Sequence, residues 1–296
     1  MLPSCVPATP FETSGFDLNS YDLSLLIDRP WVLGIAEMMN YPGVLNLDKN
    51  VMAKLELAKS HNKQIDGHAP CLSGKDLCAY IASGVRSDHE CTTPQEAQEK
   101  LRMGMYLMIR EGSAAKDLEA LLPLLKDVNT RKCIFVTDDR HPEDLSAHIN
   151  SMVRKSVEYG IPPIKAIQMA SLNTAEYFKI QNLGAIAPGY KADFIVLPDL
   201  KEFSPELVFK NGELVANHGH LVGEIKNKGV TGVRNSVNVK WIKYDDFKLE
   251  AKSDEVHAIQ LIPKQLITKN IVSKIKVVDG YAESNVDNDT LKICVL

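Results

Sequence analysis

The chain has six cysteines and no CxxC pair among them: Cys5, Cys71, Cys78, Cys91, Cys133 and Cys294 are scattered along its 296 residues. That scatter argues against a zinc knuckle and against a disulfide framework, and the six are read as reduced thiols. An excess of positive charge is missing too, with 34 Lys and Arg against 38 Asp and Glu and a formal net charge of -4. A polyanion partner needs concentrated Lys and Arg, so nucleic acid is excluded as an expected partner. No apolar run approaches the roughly 20 residues of a membrane-crossing helix. The opening Met1-Leu2-Pro3-Ser4-Cys5 lacks the charged and apolar blocks of a signal peptide. No membrane partner is expected, and the cytosol (a cytoplasmic location) is the simplest expectation.

What is present is a globular composition, 45% hydrophobic and 24% charged, with material for one large core or two smaller ones. From Met1 to about residue 180, short apolar runs alternate with helical periodicity, the signature of a parallel sheet built from βα units. The runs are Trp31 to Met39, Gln64 to His68, Met105 to Ile109 and Cys133 to Thr137. Val32-Leu33-Gly34-Ile35-Ala36 and Cys133-Ile134-Phe135-Val136 are continuously apolar, as strands buried on both faces are. Between them, Val51, Met52, Leu55 and Ala58 share one helical face, and Thr93-Pro94-Gln95-Glu96 supplies a cap, a first-turn proline and a glutamate. Ser73 with Asp76 predicts another helix start, stopped by Gly84. A further helix is predicted from Pro142 through Leu145, Ile149, Met152 and Val153 to Gly160.

After residue 180 the texture becomes β-type runs punctuated by Gly and Pro, beginning with Leu183 to Leu197. Asn211-Gly212 is a strong hairpin turn, because both residues tolerate positive φ. A strand is expected at Lys274 to Val278 before Asp279-Gly280, and another at Leu291 to Leu296.

Four side chains share one placement, each at the end of an apolar strand and shortly before a helix: Glu37, His68, His89 and Asp138. In a parallel barrel the C-terminal strand ends open on one face, so residues far apart in sequence converge there. Two imidazoles and two carboxylates make a ligand set suited to Zn, Fe or Mn. Any one of them alone is more often a satisfied structural residue, and Asp138-Asp139-Arg140 could be no more than a charged helix entry; the four in register carry the reading. His61, His141, His148 and His257 lie in polar or helical surroundings and are read as surface residues. His218-Gly219-His220 has the form of a metal motif but follows a hairpin with glycine beside it, and is read as a turn. Arg110-Glu111-Gly112-Ser113 ends another apolar run, where a surface ion pair and a substrate-facing loop both explain it and the loop is preferred.

At these residues the chain resembles bacterial-type adenine deaminases of the metal-dependent amidohydrolase superfamily. The matching segments are Ser4 to Ala8, Gly34-Ile35-Ala36-Glu37-Met38-Met39-Asn40-Tyr41-Pro42-Gly43-Val44, Asp66 to Pro70, His89-Glu90, Met108 to Ala115 and Thr137 to Arg140. The resemblance runs from residue 1 to about 222, with weaker similarity at 260 to 296. It implies an α/β fold: an incomplete TIM (β/α)8-like barrel over 1–180, a β-sandwich return segment over 181–222, and the start of a C-terminal domain over 223–296. It also implies a binuclear Mn2+ or Fe2+ centre, adenine as the small-molecule substrate, hydrolysis to hypoxanthine and ammonia, and a homodimer. By position, Glu37, His68, His89 and Asp138 would be metal ligands, Glu37 and Asp138 catalytic, and Glu90, Arg110 and Ser113 candidates for the purine edge. The family's Gly-Phe-Ile-Asp-Ala-His-x-His-type and Asp-Pro-His-Glu segments have no counterpart here, so truncation at both ends is expected. Two other readings are a noncatalytic remnant that at most binds, and another cyclic amidohydrolase such as a dihydroorotase or hydantoinase, whose bridging lysine position is taken by Glu37.

Overall fold

A computed structural model describes residues 1–8, 14–145, 148–224, 229, 232 and 239–294. The chain divides into two compact units, one of Met1–Cys5 with Leu18–Asn227 and one of Val6–Asp17 with Lys228–Leu296.

The first unit is organised by parallel strands. In chain order they are β1 (Gly34–Met38), β2 (Gln64–Gly67), β3 (Ser87–Asp88), β4 (Tyr106–Arg110) and β5 (Cys133–Val136). β1 pairs with β2, and β4 lies between β3 and β5, all in parallel register. The Arg86 N–H reaches the Ile65 carbonyl at 3.1 Å and so joins the two groups, while Leu2 bridges Ile35 in parallel on the other side of β1. Six strand positions thus follow one another with a common direction. The helices packed between and around them are α1 (Ser20–Ser24), α2 (Tyr41–Leu45), α3 (Lys49–Ser60), α4 (Gly74–Ala82), α5 (Pro94–Arg102), α6 (Leu118–Asp127), α7 (Ile149–Glu158), α8 (Pro163–Ala170) and α9 (Leu172–Tyr177). The expected partial barrel is what the described residues form.

Strand alternation decides which side chains reach which face. On β4, Leu107 and Ile109 pack with Cys133 and Phe135 of β5 against Leu121 and Leu125 of α6, Met152 and Val153 of α7 and Met169 of α8. Met108 points the other way, with Ile134 and Tyr177, and Arg110 shares that parity. A second core gathers Ile35, Met38 and Ile65 with Leu55 of α3 and Leu77 and Tyr80 of α4. The strands approach so closely that a Cβ on Gly34 would lie 2.0 Å from the Gln64 carbonyl oxygen, and one on Gly67 2.1 Å from that of Ser87.

Several local expectations need correcting. Trp31 is 70% exposed and precedes β1, because the paired register begins only at Gly34. Ser73 occupies the cap position of α4 without a side-chain bond; the first free N–H, on Gly74, goes instead to Glu99 of α5 at 2.8 Å. Thr93 does cap α5, accepting from the Glu96 N–H, but Glu96 turns its carboxylate to the Cys71 N–H and Lys100. The predicted helix from Pro142 is two pieces, a 3-10 turn at Pro142–Asp144 and α7, with residues 146 and 147 between them outside the described residues.

Beyond α9, an antiparallel sheet forms from β6 (Phe194–Val196), β7 (Leu207–Lys210), β8 (Glu213–Asn217) and β9 (His220–Leu221). Asn211 and Gly212 make its tight turn with φ of 51° and 81°. The second unit contains two antiparallel pairs, β10 (Glu255–Leu261) with β11 (Thr268–Lys274) and β12 (Lys276–Val278) with β13 (Tyr281–Glu283). The strand expected across 274–278 is broken at Ile275. Leu291 to Cys294 are not a strand, and Val295 and Leu296 lie outside the described residues.

The close approach at Gly67 gives a direct check on the β2–β3 seam. Gly67→Ala forces the Cβ onto a backbone oxygen that cannot rotate away, and overpacking of this kind costs about 1–3 kcal/mol or more. A chemical-denaturation midpoint equal to that of the parent protein would contradict the packing described.

Candidate active site

Glu37 on β1, His68 just beyond β2 and His89 just beyond β3 converge as their strand-end placement predicts. Glu37 Oε2 lies 3.0 Å from His68 Nδ1 and 2.9 Å from His89 Nε2, and the two ring nitrogens are 3.3 Å apart. The rings meet edge to face at 5.2 Å between centroids. Glu90 Oε1 lies on the same two nitrogens, at 3.3 Å from His68 and 3.1 Å from His89. Asp138, two residues past β5, is further out, with Oδ2 3.8 Å from His89 Nε2. One donor atom each from Glu37, His68 and His89, and likewise from His89, Glu90 and Asp138, fall within 4.8 Å of one another. These oxygen and imidazole donors suit a hard or borderline divalent cation.

Arg110, the last residue of β4, ties the acidic groups together. Its guanidinium takes Glu90 in a fork, with Nη1 on Oε1 and Nη2 on Oε2 at 3.1 Å, and donates from Nη1 to Asp138 Oδ2 at 2.7 Å and from Nη2 to Asp117 Oδ2 at 3.4 Å. The Asp139 N–H holds the other oxygen of Asp138 at 2.7 Å, so both oxygens of that carboxylate have fixed partners. Asp138 adopts a left-handed backbone, φ 55°, a conformation that Asp tolerates better than most residues.

The electrostatics follow from these contacts. Hydrogen bonds from His68 and His89 hold Glu37 well below the usual carboxylate range. Burial opposes charge on His89, but the hydrogen bonds to Glu37 and Glu90 outweigh it and the imidazole is pushed up to about 10. A proton on His89 is thus one way for these carboxylates to acquire a neighbouring positive charge. Asp117 goes the other way: burial lifts it from 3.8 to about 6 in spite of Arg110.

Of the remaining candidates, Glu90 and Arg110 lie in the cluster and Ser113 does not. Arg110 is 2% exposed and Glu90 is fully enclosed; Glu90 lies within the cluster on both imidazoles, and Arg110 is shared among Glu90, Asp138 and Asp117. Ser113 donates to Asp144 at 2.6 Å and accepts the His141 N–H at 2.8 Å, and neither partner belongs to the cluster. The expected substrate-facing loop at 110–113 is therefore a buried ionic strand end followed by a turn. His218 and His220 are exposed and, like His61, His141, His148 and His257, lie in none of the metal-capable groups found among the described residues. Two members of this region escaped the sequence reading. Asp88 is overshadowed by its neighbour His89, and Lys100 reads as half of a solvated Glu96–Lys100 helix pair although its side chain is 1% exposed.

Strand ends of a parallel α/β barrel carrying a carboxylate and imidazole cluster define a class of barrel hydrolase sites. The sequence pattern of the amidohydrolase family matches residues 1–215, and the chain belongs to that family. It is 48% identical over 297 aligned positions to adenine deaminase 2 of Carboxydothermus hydrogenoformans and 46% identical to the adenine deaminase of Desulfatibacillum aliphaticivorans; each alignment takes in all of this chain and 52% of the relative. The chain spans about half the length of the curated relatives it matches. Among solved structures, a β-aspartyl dipeptidase from Fervidobacterium islandicum AW-1 aligns at a TM-score of 0.52 and 16% identity, over 70% of this chain and 62% of that one. An N-acetyl-D-glucosamine-6-phosphate deacetylase from Mycobacterium smegmatis aligns at 0.52 and 14%, over 68% and 60%. At such identities the likeness is one of fold.

The raised Asp117 has a measurable consequence. The folded protein holds this proton more tightly than the unfolded chain, so the contribution is complete below about pH 4 and is lost as pH rises through about 6. Urea midpoints measured from pH 4 to 7 should fall less steeply in Asp117→Asn than in the parent. Parallel profiles would show that Asp117 does not titrate in that window.

Proposed function

We propose that this chain carries the catalytic strand ends of an adenine deaminase, hydrolysing adenine to hypoxanthine and ammonia for purine salvage. The observation that carries the reading is the convergence of Glu37, His68 and His89, with Asp138 beside them, in a chain 41 to 48% identical along its whole length to eight adenine deaminases. Glu37, His68 and His89 would hold a divalent cation, Mn2+ or Fe2+, with Glu90 and Asp138 as further oxygen donors. Such an ion lowers the pKa of water so that hydroxide is available near neutral pH.

The protein's own groups do the rest. Asp138 is the most suitably placed general base, since its carboxylate is oriented from one side by Arg110 and from the other by the Asp139 N–H. It takes a proton from the attacking water and passes it to the exocyclic amine as the C6–N bond breaks, so that ammonia leaves. Glu37, kept ionised by its two imidazoles, supplies fixed negative charge to the cation. Glu90, gripped by Arg110, keeps its oxygen against both rings and limits how they turn.

Ammonia release from adenine by the Mn-loaded protein, measured beside Asp138→Asn, tests this. The parent should release ammonia and the variant should be slower by about 10²–10⁴-fold, the usual worth of a positioned acid–base group. Equal rates, or no release by a parent protein with bound Mn, would sink the proposal.

A further inference from the structure

Beside His89 in the chain, Asp88 forms a buried ion pair with Lys100. Lys100 reaches from α5 with its side chain 1% exposed, and Asp88 of β3 is equally enclosed. The ammonium has three protons and three acceptors: the Ala69 carbonyl at 2.7 Å, Asp88 Oδ2 at 3.0 Å and Glu96 Oε1 at 2.7 Å. Asp88 in turn accepts the Ala69 N–H on Oδ1 at 2.7 Å and the Glu90 N–H on Oδ2 at 3.0 Å, with the Cys91 thiol at 3.3 Å. Ala69 follows His68 and Glu90 follows His89. A single buried pair therefore grips the backbone one residue past each imidazole, and it holds Ala69 by both its N–H and its C=O. Glu96 extends the grip by accepting the Cys71 N–H at 2.8 Å.

A buried ion pair is a poor source of stability, because desolvation offsets its attraction and an apolar pair of similar volume fills a core as well. What an apolar pair cannot do is accept two backbone amides from two different strand ends. We propose that Asp88 and Lys100 are positioning residues that set the separation and orientation of the His68 and His89 rings, and through them the affinity of the site for a divalent cation. The link to cation affinity rests on the metal-centre reading above, whereas the grip on the two amides does not. Outer partners of metal ligands typically influence affinity by 10–100-fold.

The test uses the double variant Asp88→Asn with Lys100→Met, which removes both charges together and leaves no lone buried ion. Asparagine has one acceptor oxygen where the carboxylate has two, so the Ala69 and Glu90 amides cannot both be held. Mn2+ binding is followed by the free-ion paramagnetic resonance signal, amide hydrogen exchange in the segments around residues 69 and 90, and thermal midpoint on the same samples. The expected result is a dissociation constant for Mn2+ raised 10–100-fold and exchange at one or both amides accelerated at least tenfold, with exchange in β4 and β5 and the midpoint close to the parent's. Lys100→Arg, which keeps the charge but replaces a compact three-way donor by a planar fork, should move both readouts in the same direction. Unchanged Mn2+ affinity in a folded variant would overturn the proposal, as would loss of the fold in both variants, because the pair would then serve the core alone. Failure of the parent to bind Mn2+ strikes the metal-centre reading instead; the exchange at the two amides still decides whether the grip exists, and unchanged rates there refute it.

Discussion

Like charges crowd the strand ends of the first unit, and the arrangement there depends on how they are offset. Glu37, Asp88, Glu90 and Asp138 lie at or just past the ends of neighbouring strands, and Asp117 at the start of α6 shares the Arg110 guanidinium with Glu90 and Asp138. Unit charges a few ångströms apart interact by several kcal/mol at the dielectric of a partly buried site. Arg110 answers three of the five carboxylates at once and Lys100 answers Asp88, each from an almost completely enclosed position. Among the described residues Glu37 is matched by the His68 and His89 imidazoles and not by an arginine or lysine.

The parallel strands make that crowding unavoidable. With strands side by side and pointing one way, whatever follows each strand is delivered to the same face, and here the deliveries are Glu37, His68, His89 and Asp138. Glycine tightens the delivery: Gly34 and Gly67 let neighbouring backbones approach to distances a Cβ would forbid. The Ser87 hydroxyl then receives the Gly67 N–H at 3.3 Å and the Tyr177 hydroxyl at 2.9 Å, which fastens α9 to the seam between β2 and β3.

Much of this could be read from sequence because it is periodic or positional. Continuous apolar runs marked β1 and β5, the Thr93-Pro94 step marked α5, and a polar residue following an apolar run marked each member of the cluster. Burial of charge was what the sequence hid. Lys100 four residues after Glu96 is the ordinary pattern of a solvated helix, and only packing against β3 reveals it as enclosed. Arg110 shows the same effect: its position at the end of an apolar run suggests the loop beyond, whereas strand parity turns it inward with Met108. Ser113 resembled a site residue by position in a segment, yet a turn takes its hydroxyl to Asp144.

Exposure across the cluster then orders the groups by what each can do. The Glu90 side chain is fully enclosed, His89 is 11% exposed, His68 21%, Asp138 32% and Glu37 40%. A group shut away from water cannot exchange a proton with a substrate arriving from solvent, so Glu90 acts only through its field and its hold on the rings. Asp138 and Glu37 stand at the open side, and they are held differently: Glu37 by imidazoles that lower its proton affinity, Asp138 by one arginine nitrogen and a backbone N–H. A carboxylate that must take a proton and give it up again is better served by the second arrangement, because its partners fix its direction without surrounding it. Two carboxylates at neighbouring strand ends are thus set apart by their neighbours, and in the proposed reaction Glu37 would hold a cation while Asp138 would move a proton.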